Sequence, residues 1–403
     1  MLVTLVLLAL GALAASCTTS SKPIPVADGR PGTLATQPTT PPCTPASLEE
    51  RAARVLLVGL PEITSSSDPL VAEVLELGVG GVLLTHTNVH TVPQAQGLVS
   101  GLRTGSRVPL LVTADEEPGR VRTLEELYGR TLSARRMARE RSVEEAEQDG
   151  RVTGGRLAGL GVKVNMAPVL DLDDGPWDGI VGDRSFSADP EQASAYGLAY
   201  ARGLMAAGVI PVFKHFPGHG RASADSHITA PEVDAPLPVL QATDLRPFAD
   251  AVAAGAPIVM LGHVAYDALE RGLPASVSPA AYRLLRDMGF RGAAITDSVG
   301  MGAVNLRWDF DEAVVVAVAA GADGVLATDG RQARRMRDSL VTAVQSGRVD
   351  EARLNEAAGR MMALAGGDPM TLSCTSPQLP TFRTPDPSPA PPAPALAPAV
   401  VGR

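Results

Sequence analysis

The sequence is poor in the features that mark nucleic-acid and membrane proteins. Lysine occurs only three times, at Lys22, Lys163 and Lys214, which leaves 32 of the 35 basic residues as arginine. Against 44 acidic residues the formal charge is −9. That balance argues against the phosphate backbone of a nucleic acid as a partner, since such binding needs clustered positive charge. Aromatic residues make up 3% of the chain, too few for a base-stacking surface. Long apolar runs are also missing. Only residues 2–16 form one, which excludes a polytopic membrane protein. Cysteine is reduced to Cys17, Cys43 and Cys374. Apolar side chains are abundant, at 45% with 20% charged over 403 residues. Disorder throughout is thereby excluded, and one large core or two ordinary ones are expected.

The two ends read differently from the middle. Residues 2–16 are apolar and small and finish in Leu13-Ala14-Ala15-Ser16-Cys17, too short for a comfortable membrane span and suited to a secretory signal core. A cysteine directly after small residues resembles a bacterial lipobox, with 1–17 as the signal peptide and Cys17 as the lipidated N-terminus. The expected location is therefore the outer face of the cell membrane, lipid-anchored. No basic residue precedes the run and Ala14 stands where Leu is usual, so simple secretion and an uncleaved anchor stay open. Residues 18–45 are a Ser/Thr/Pro-rich linker, and residues 369–403, Pro/Ala-rich from about Thr371, form a tail expected to lack a packed core. Cys43 ends the linker and Cys374 begins the tail. In an exported protein two leftover cysteines usually pair, so a Cys43–Cys374 disulfide is expected, the alternative being two free thiols.

Residues 46–368 read as a single folded domain of alternating strand and helix. Short apolar runs at 55–60, 81–84, 110–115, 163–168, 212–217, 258–263, 293–298 and 324–328 are separated by segments with helical spacing, such as 191–207 and 311–320. Near-continuous apolar strands alternating with helices predict a parallel sheet covered on both faces. Eight such units in this length predict an α/β fold of the (β/α)8 TIM-barrel type. A doubly wound open sheet is the runner-up, but it usually carries a Gly-rich dinucleotide turn early, and none follows 55–60. Polar residues collect at the C-terminal ends of the runs: Asp115, Asp171, Lys214, His215, His263, Asp297 and Asp329. In a barrel that end builds the active site. Lys214 and His215 sit inside an apolar stretch, and an unpaired buried lysine costs several kcal/mol. They are candidates for substrate binding, with a buried structural ion pair as the alternative.

Lys214-His215-Phe216-Pro217-Gly218-His219-Gly220, followed by Asp225-Ser226-His227, closely resembles the signature of glycoside hydrolase family 3. The match is to its single-domain bacterial β-N-acetylglucosaminidases acting on peptidoglycan fragments. Three further segments agree in order: Asp115-Glu116-Glu117-Pro118-Gly119-Arg120-Val121, then Asn165 to Asp171 with Gly182-Asp183-Arg184-Ser185-Phe186, then Ile295 to Met301. The resemblance covers about residues 48–365. It implies a retaining reaction through a covalent glycosyl-aspartate, with Asp297 as nucleophile. His227, held by Asp225 on a mobile loop after the fifth strand, is implied as acid/base. A carboxylate beside an imidazole stabilises its protonated form, which suits proton transfer near neutral pH. Asp115, Arg184, Lys214 and His215 are implied as binding the sugar hydroxyls. No cofactor is implied. No metal is implied either, since the six histidines (86, 90, 215, 219, 227, 263) show no zinc-ligand spacing left unexplained.

There are departures from the family pattern. Thr123 stands where a second substrate-contacting arginine is common, with Arg122 one position earlier, and Pro118 replaces a glycine. These bear on how an N-acetylated sugar is gripped and leave Asp297 and His227 untouched. The leading expectation is an exported exo-β-N-acetylglucosaminidase that removes terminal GlcNAc from GlcNAc–MurNAc fragments. A phosphorylase using phosphate as acceptor is the second reading, and a non-catalytic muropeptide-binding lipoprotein is the third. The expected partners are a small carbohydrate and, through the anchor alone, the membrane. A monomer is expected.

Overall fold

The structure, a computed structural model, describes residues 43–222 and 224–383. Cys17, the expected signal peptide over residues 1–17, the expected linker up to residue 42, Ser223 and the residues from 384 on lie outside the described residues.

Eight parallel strands form the centre: β1 (Leu56–Gly59), β2 (Gly81–Leu84), β3 (Leu111–Ala114), β4 (Val164–Asn165), β5 (Ile210–Phe216), β6 (Ile258–Leu261), β7 (Ala293–Thr296) and β8 (Val325–Ala327). Each pairs with its sequence neighbour, and β1 pairs in parallel with β8 through Leu56 and Val325. The seam between β7 and β8 is a single bridge, Ile295 to Gly324, so the sheet closes on itself almost completely. All eight strands fall on the eight apolar runs of the sequence, and the barrel, not the open sheet, is the fold.

The runs are apolar throughout because both faces are buried. Side chains alternate across a strand. One set, Leu57, Leu83, Leu111, Val164, Val212, Ile258, Ala293, Ile295 and Leu326, fills the barrel interior. The other, including Leu56, Val82, Val112, Phe213, Val259 and Val325, packs outward against the helices. The helices carry local stop and start signals. Ser142 and Glu145 form a capping box ahead of Val143–Leu160, which ends at the left-handed Gly161, as a Cβ-free residue allows at no steric cost.

The N-terminal end of the barrel is plugged by Met361 and Leu364 from the helix Glu351–Leu364, with Leu379 beside them. Here the tail differs from expectation. Packed structure does not stop at residue 368 or at Thr371 but runs on to Arg383. Leu372 is buried, the Phe382 ring lies 5.7 Å from that of Phe213, and the Arg383 amide donates to the Ala254 carbonyl at 2.7 Å. Composition averages over a window, and three apolar anchors in a proline-rich stretch are enough to dock it. Cys43 and Cys374 are joined in a disulfide at the start of this segment, with Cα atoms 5.8 Å apart.

Candidate active site

The site lies at the C-terminal ends of the strands. Asp115 leaves β3, and two residues later Glu117 is buried, with 1% of its side chain exposed. Lys214 of β5 reaches both, its Nζ donating to Asp115 at 2.8 Å and approaching Glu117 at 2.7 Å. Arg184, from the loop after β4, forks onto Glu117 with two 2.7 Å hydrogen bonds. Two carboxylates therefore face two cations. Asp115 keeps 32% of its side chain exposed, whereas Glu117, Lys214 and Arg184 are largely withdrawn from water, a setting where charges are tolerable only when paired. Burial opposes ionisation of Glu117, but Arg184 and Lys214 overcome it and hold the carboxyl well below its usual range. Burial likewise opposes charge on Lys214, and Asp115 and Glu117 keep it protonated. Lys214 is thus the buried ion pair of the alternative reading and a cavity-lining group at once.

Consecutive residues of a regular strand face opposite sides, yet Lys214 and His215 both face the barrel mouth. The pairing of β5 with β6 shifts register between Phe213 and Phe216, and such an irregularity re-aims side chains. Asp171, fully buried beyond β4, accepts from the His215 backbone amide at 3.1 Å, from the His219 amide at 2.7 Å, and lies 2.6 Å from His215 Nδ1. Burial works to raise Asp171, but these contacts keep it below the ordinary carboxylate value. An ionised carboxylate only accepts, so Nδ1 carries the proton and Nε2 faces Asp297, whose Oδ2 is 4.0 Å away.

Asp297 follows β7. Its Oδ1 accepts from the Ser298 amide at 2.7 Å, leaving Oδ2 toward the cavity. Burial disfavours its charge, but His263, His215 and Lys214 together bring it down to about 2. Asp225 and His227 stand on the segment after β5. Asp225 Oδ1 accepts from the His227 amide at 2.9 Å and lies 2.8 Å from its Nδ1, so the free Nε2 is the end that can exchange protons. Asp115, Arg184, Lys214, His215, Asp225, His227 and Asp297 all line one cavity of about 410 Å³, a volume suited to a small ligand. An ionised carboxylate and a carboxylate-held imidazole sharing one cavity can perform nucleophilic displacement with proton transfer. The described residues hold no cluster of three or more acidic, His or Cys side chains arranged for a metal.

The family profile described as glycosyl hydrolase family 3 N terminal domain matches residues 47–364. The chain belongs to glycoside hydrolase family 3. It is a glycoside hydrolase, similar to the β-hexosaminidase LpqI of Mycobacterium tuberculosis, with 36% identity over 334 residues, 80% of this chain and 84% of that protein. The solved structure of M. tuberculosis LpqI superposes with a TM-score of 0.74 at 35% identity, over 81% of this chain and 98% of that one. A family 3 β-N-acetylglucosaminidase from Paenibacillus sp. FPU-7 gives 0.77 at 32% identity over 80% of this chain. The chain spans 62% of that protein, less than two thirds of its length.

Within this family 3 barrel, Glu117 and His219 were not among the sequence candidates, and Asp171, singled out at a strand end, had no role assigned to it. Each had a signal. Two buried cations in a chain of net charge −9 need carboxylate partners, and Glu117 is two residues from Asp115. Asp171 ends a strand run, and His219 lies within the Lys214–Gly220 signature. Two of the departing positions have structural partners. Thr123 donates its amide and hydroxyl to the Asp115 carbonyl, at 3.1 and 3.0 Å, so it braces the backbone of Asp115 and supplies no cation. Arg122 turns to Glu125 at 2.7 Å and lines a neighbouring cleft with His86 and His90.

Proposed function

We propose that this family 3 enzyme is a retaining exo-β-N-acetylglucosaminidase that removes terminal GlcNAc from peptidoglycan-derived GlcNAc–MurNAc fragments. The observation that carries the reading is the shared cavity of an ionised Asp297 and the Asp225–His227 pair. In the first step Asp297 Oδ2 attacks the anomeric carbon as the glycosidic C–O bond breaks, and His227 Nε2 passes its proton to the departing oxygen. In the second, the now neutral His227 takes a proton from water as that oxygen attacks the same carbon, and the ester bond to Asp297 breaks. Asp225 keeps the imidazole in the tautomer both steps need. Asp115, Lys214, Arg184 and His215 grip the sugar hydroxyls, where contacts that tighten in the transition state raise the rate.

The names of the relatives support a hexosaminidase. Wall fragments as substrate, and lipidation at Cys17 on the outer face of the cell membrane, are supported by the sequence of the apolar leader and the linker that follows it. No described helix is long and apolar enough to cross a membrane.

The test is turnover by the full chain of matched aryl β-GlcNAc and β-glucoside substrates, with and without phosphate. Free GlcNAc from the first compound alone is the expected result. A sugar phosphate product would replace hydrolysis with phosphorolysis, and no turnover of either would favour a binding protein. Fractionation of cells producing the Cys17→Ser variant checks the anchor: the membrane-bound fraction is expected to disappear.

A further inference from the structure

The hydrogen bonds within the Asp225–His227 pair leave one thing unsettled. Both Asp225 contacts, to the His227 amide and to Nδ1, lie inside the same short segment. They orient the ring relative to the segment but do nothing to hold the segment relative to Asp297. Something else must.

We infer that Ser226, backed by His219, is the positioning residue that holds the His227 imidazole in reach of the reacting bond. The inference rests on the acid/base reading of His227 proposed above. In a stretch where His227 and Ile228 are exposed and Asp225 is half-buried, Ser226 is only 2% exposed. Its hydroxyl lies 3.0 Å from His219 Nε2. The His219 amide is in turn fixed on Asp171, the same carboxylate that orients His215. On the other side, the Ser226 carbonyl accepts from the Ala303 amide at 3.0 Å and the His227 carbonyl from the Gly302 amide at 2.9 Å. Both amides begin the short helix Gly302–Asn305 downstream of Asp297. The approach is close: a Cβ on Gly302 would stand 2.7 Å from the His227 carbonyl oxygen and 2.6 Å from that of Ile228.

Ser226 therefore joins the proton-transfer segment to two fixed bodies, the Asp171 cluster and the segment that carries Asp297. Among the described residues, its side chain is the only one between 224 and 228 that hydrogen-bonds outside that stretch. Removing the bond leaves the chemistry of His227 intact but lets the segment sample positions in which its proton cannot reach the leaving oxygen. The rate of the protonated step falls by the fraction of time so lost.

The readout is therefore leaving-group dependence, which a merely structural role would not move. Ser226→Ala, His219→Ala and the double variant are compared with wild type on phenyl and dinitrophenyl β-N-acetylglucosaminides, with melting curves to check folding. Phenol leaves poorly without a proton, whereas dinitrophenol needs none. Ser226→Ala is expected to lower kcat/KM at least ~10-fold on the phenyl compound and less than ~3-fold on the dinitrophenyl one. Because one bond is being cut from either end, the double variant should be no slower than the slower single. Equal losses on both compounds, no loss, or additive losses would overturn the inference. Should Ser226→Ala melt early, His219→Ala carries the same comparison, and an unchanged ratio of the two rates there overturns it as well. His227→Ala separates the two readings. If it slows both compounds equally, the acid assignment itself fails; if it shows the split and Ser226→Ala does not, only the positioning role fails.

Discussion

At the scale of single residues, the site is an exercise in keeping charge alive where water is scarce. Asp297 sits among groups that bring it down to about 2, so it stays ionised across the working range of any neutral or mildly acidic enzyme. Its protonation therefore cannot produce an acidic limb in kcat/KM between pH 7 and pH 4. A profile measured on a dinitrophenyl substrate should show no loss in that window that Asp297 could explain. Asp297→Ala should remove turnover by several orders of magnitude while product binding, read by calorimetry, persists. Glu117 bears on stability. Its folded value lies below the ordinary 4.5, so above pH 4.5 both states are ionised and the stabilisation is fully present. As the pH falls below 4.5 the unfolded chain takes up a proton the folded one refuses, and that stabilisation is lost. Glu117→Gln leaves Lys214 and Arg184 with one carboxylate between them, which should cost about 3 kcal/mol at pH 7. Urea melts at pH 7 and pH 4 check this: the wild type should lose more stability between the two than the variant does.

At the scale of elements, close approach decides. The helices Val143–Leu160 and Pro190–Ala206 flank the strands β4 and β5 that carry the site, and they meet through glycines. A Cβ on Gly203 would stand 2.0 Å from the Glu147 carbonyl oxygen, whereas one on Gly155 would meet nothing within 4 Å. Alanine is the better helix former by about 1 kcal/mol, so Gly155→Ala should stabilise slightly. Gly203→Ala should instead destabilise by about 2 kcal/mol, because backbone must move to admit the methyl. Denaturant midpoints of the two variants, expected to shift in opposite directions, decide it. Such contacts also mark what could be read in advance. The strands were legible because burial on both faces writes them as unbroken apolar runs, and Asp115, Lys214 and Asp297 stood out as charge at the ends of those runs. The ties from Lys214 to Glu117, from Asp171 to His215 and from Ser226 to His219 were not. The first two join residues on different segments and the third closes an irregular loop after β5, and no helix or strand periodicity encodes such partners.

At the scale of the whole molecule, function and cohesion sit at opposite ends of the barrel. The cavity opens at the C-terminal ends of the strands. The plug of Met361, Leu364 and Leu379 fills the N-terminal end, and the Cys43–Cys374 bridge starts the segment that supplies part of it. The bridge closes a loop with a sequence separation of 331, and loops of that length restrict the unfolded chain strongly, so a stabilisation of about 2–4 kcal/mol is expected from it. Neither cysteine lines the cavity. Loss of the bridge should therefore be felt in stability and hardly at all in chemistry. The double variant Cys43→Ser with Cys374→Ser, or the reduced protein, should melt several degrees earlier while kcat/KM below the transition stays within ~2-fold of the parent. The tail provides the control. Phe382→Ala removes the ring docked on Phe213 without touching the bridge, and it should lower the melting point further in the bridged protein than in the unbridged one. Without the bridge the segment is free to leave, and its contacts no longer count for as much. Equal effects of Phe382→Ala in both backgrounds would mean that the segment docks on its own account. A parallel fall in kcat/KM would mean that the outer layer around Phe213 reaches the site through β5, the strand that carries Lys214 and His215.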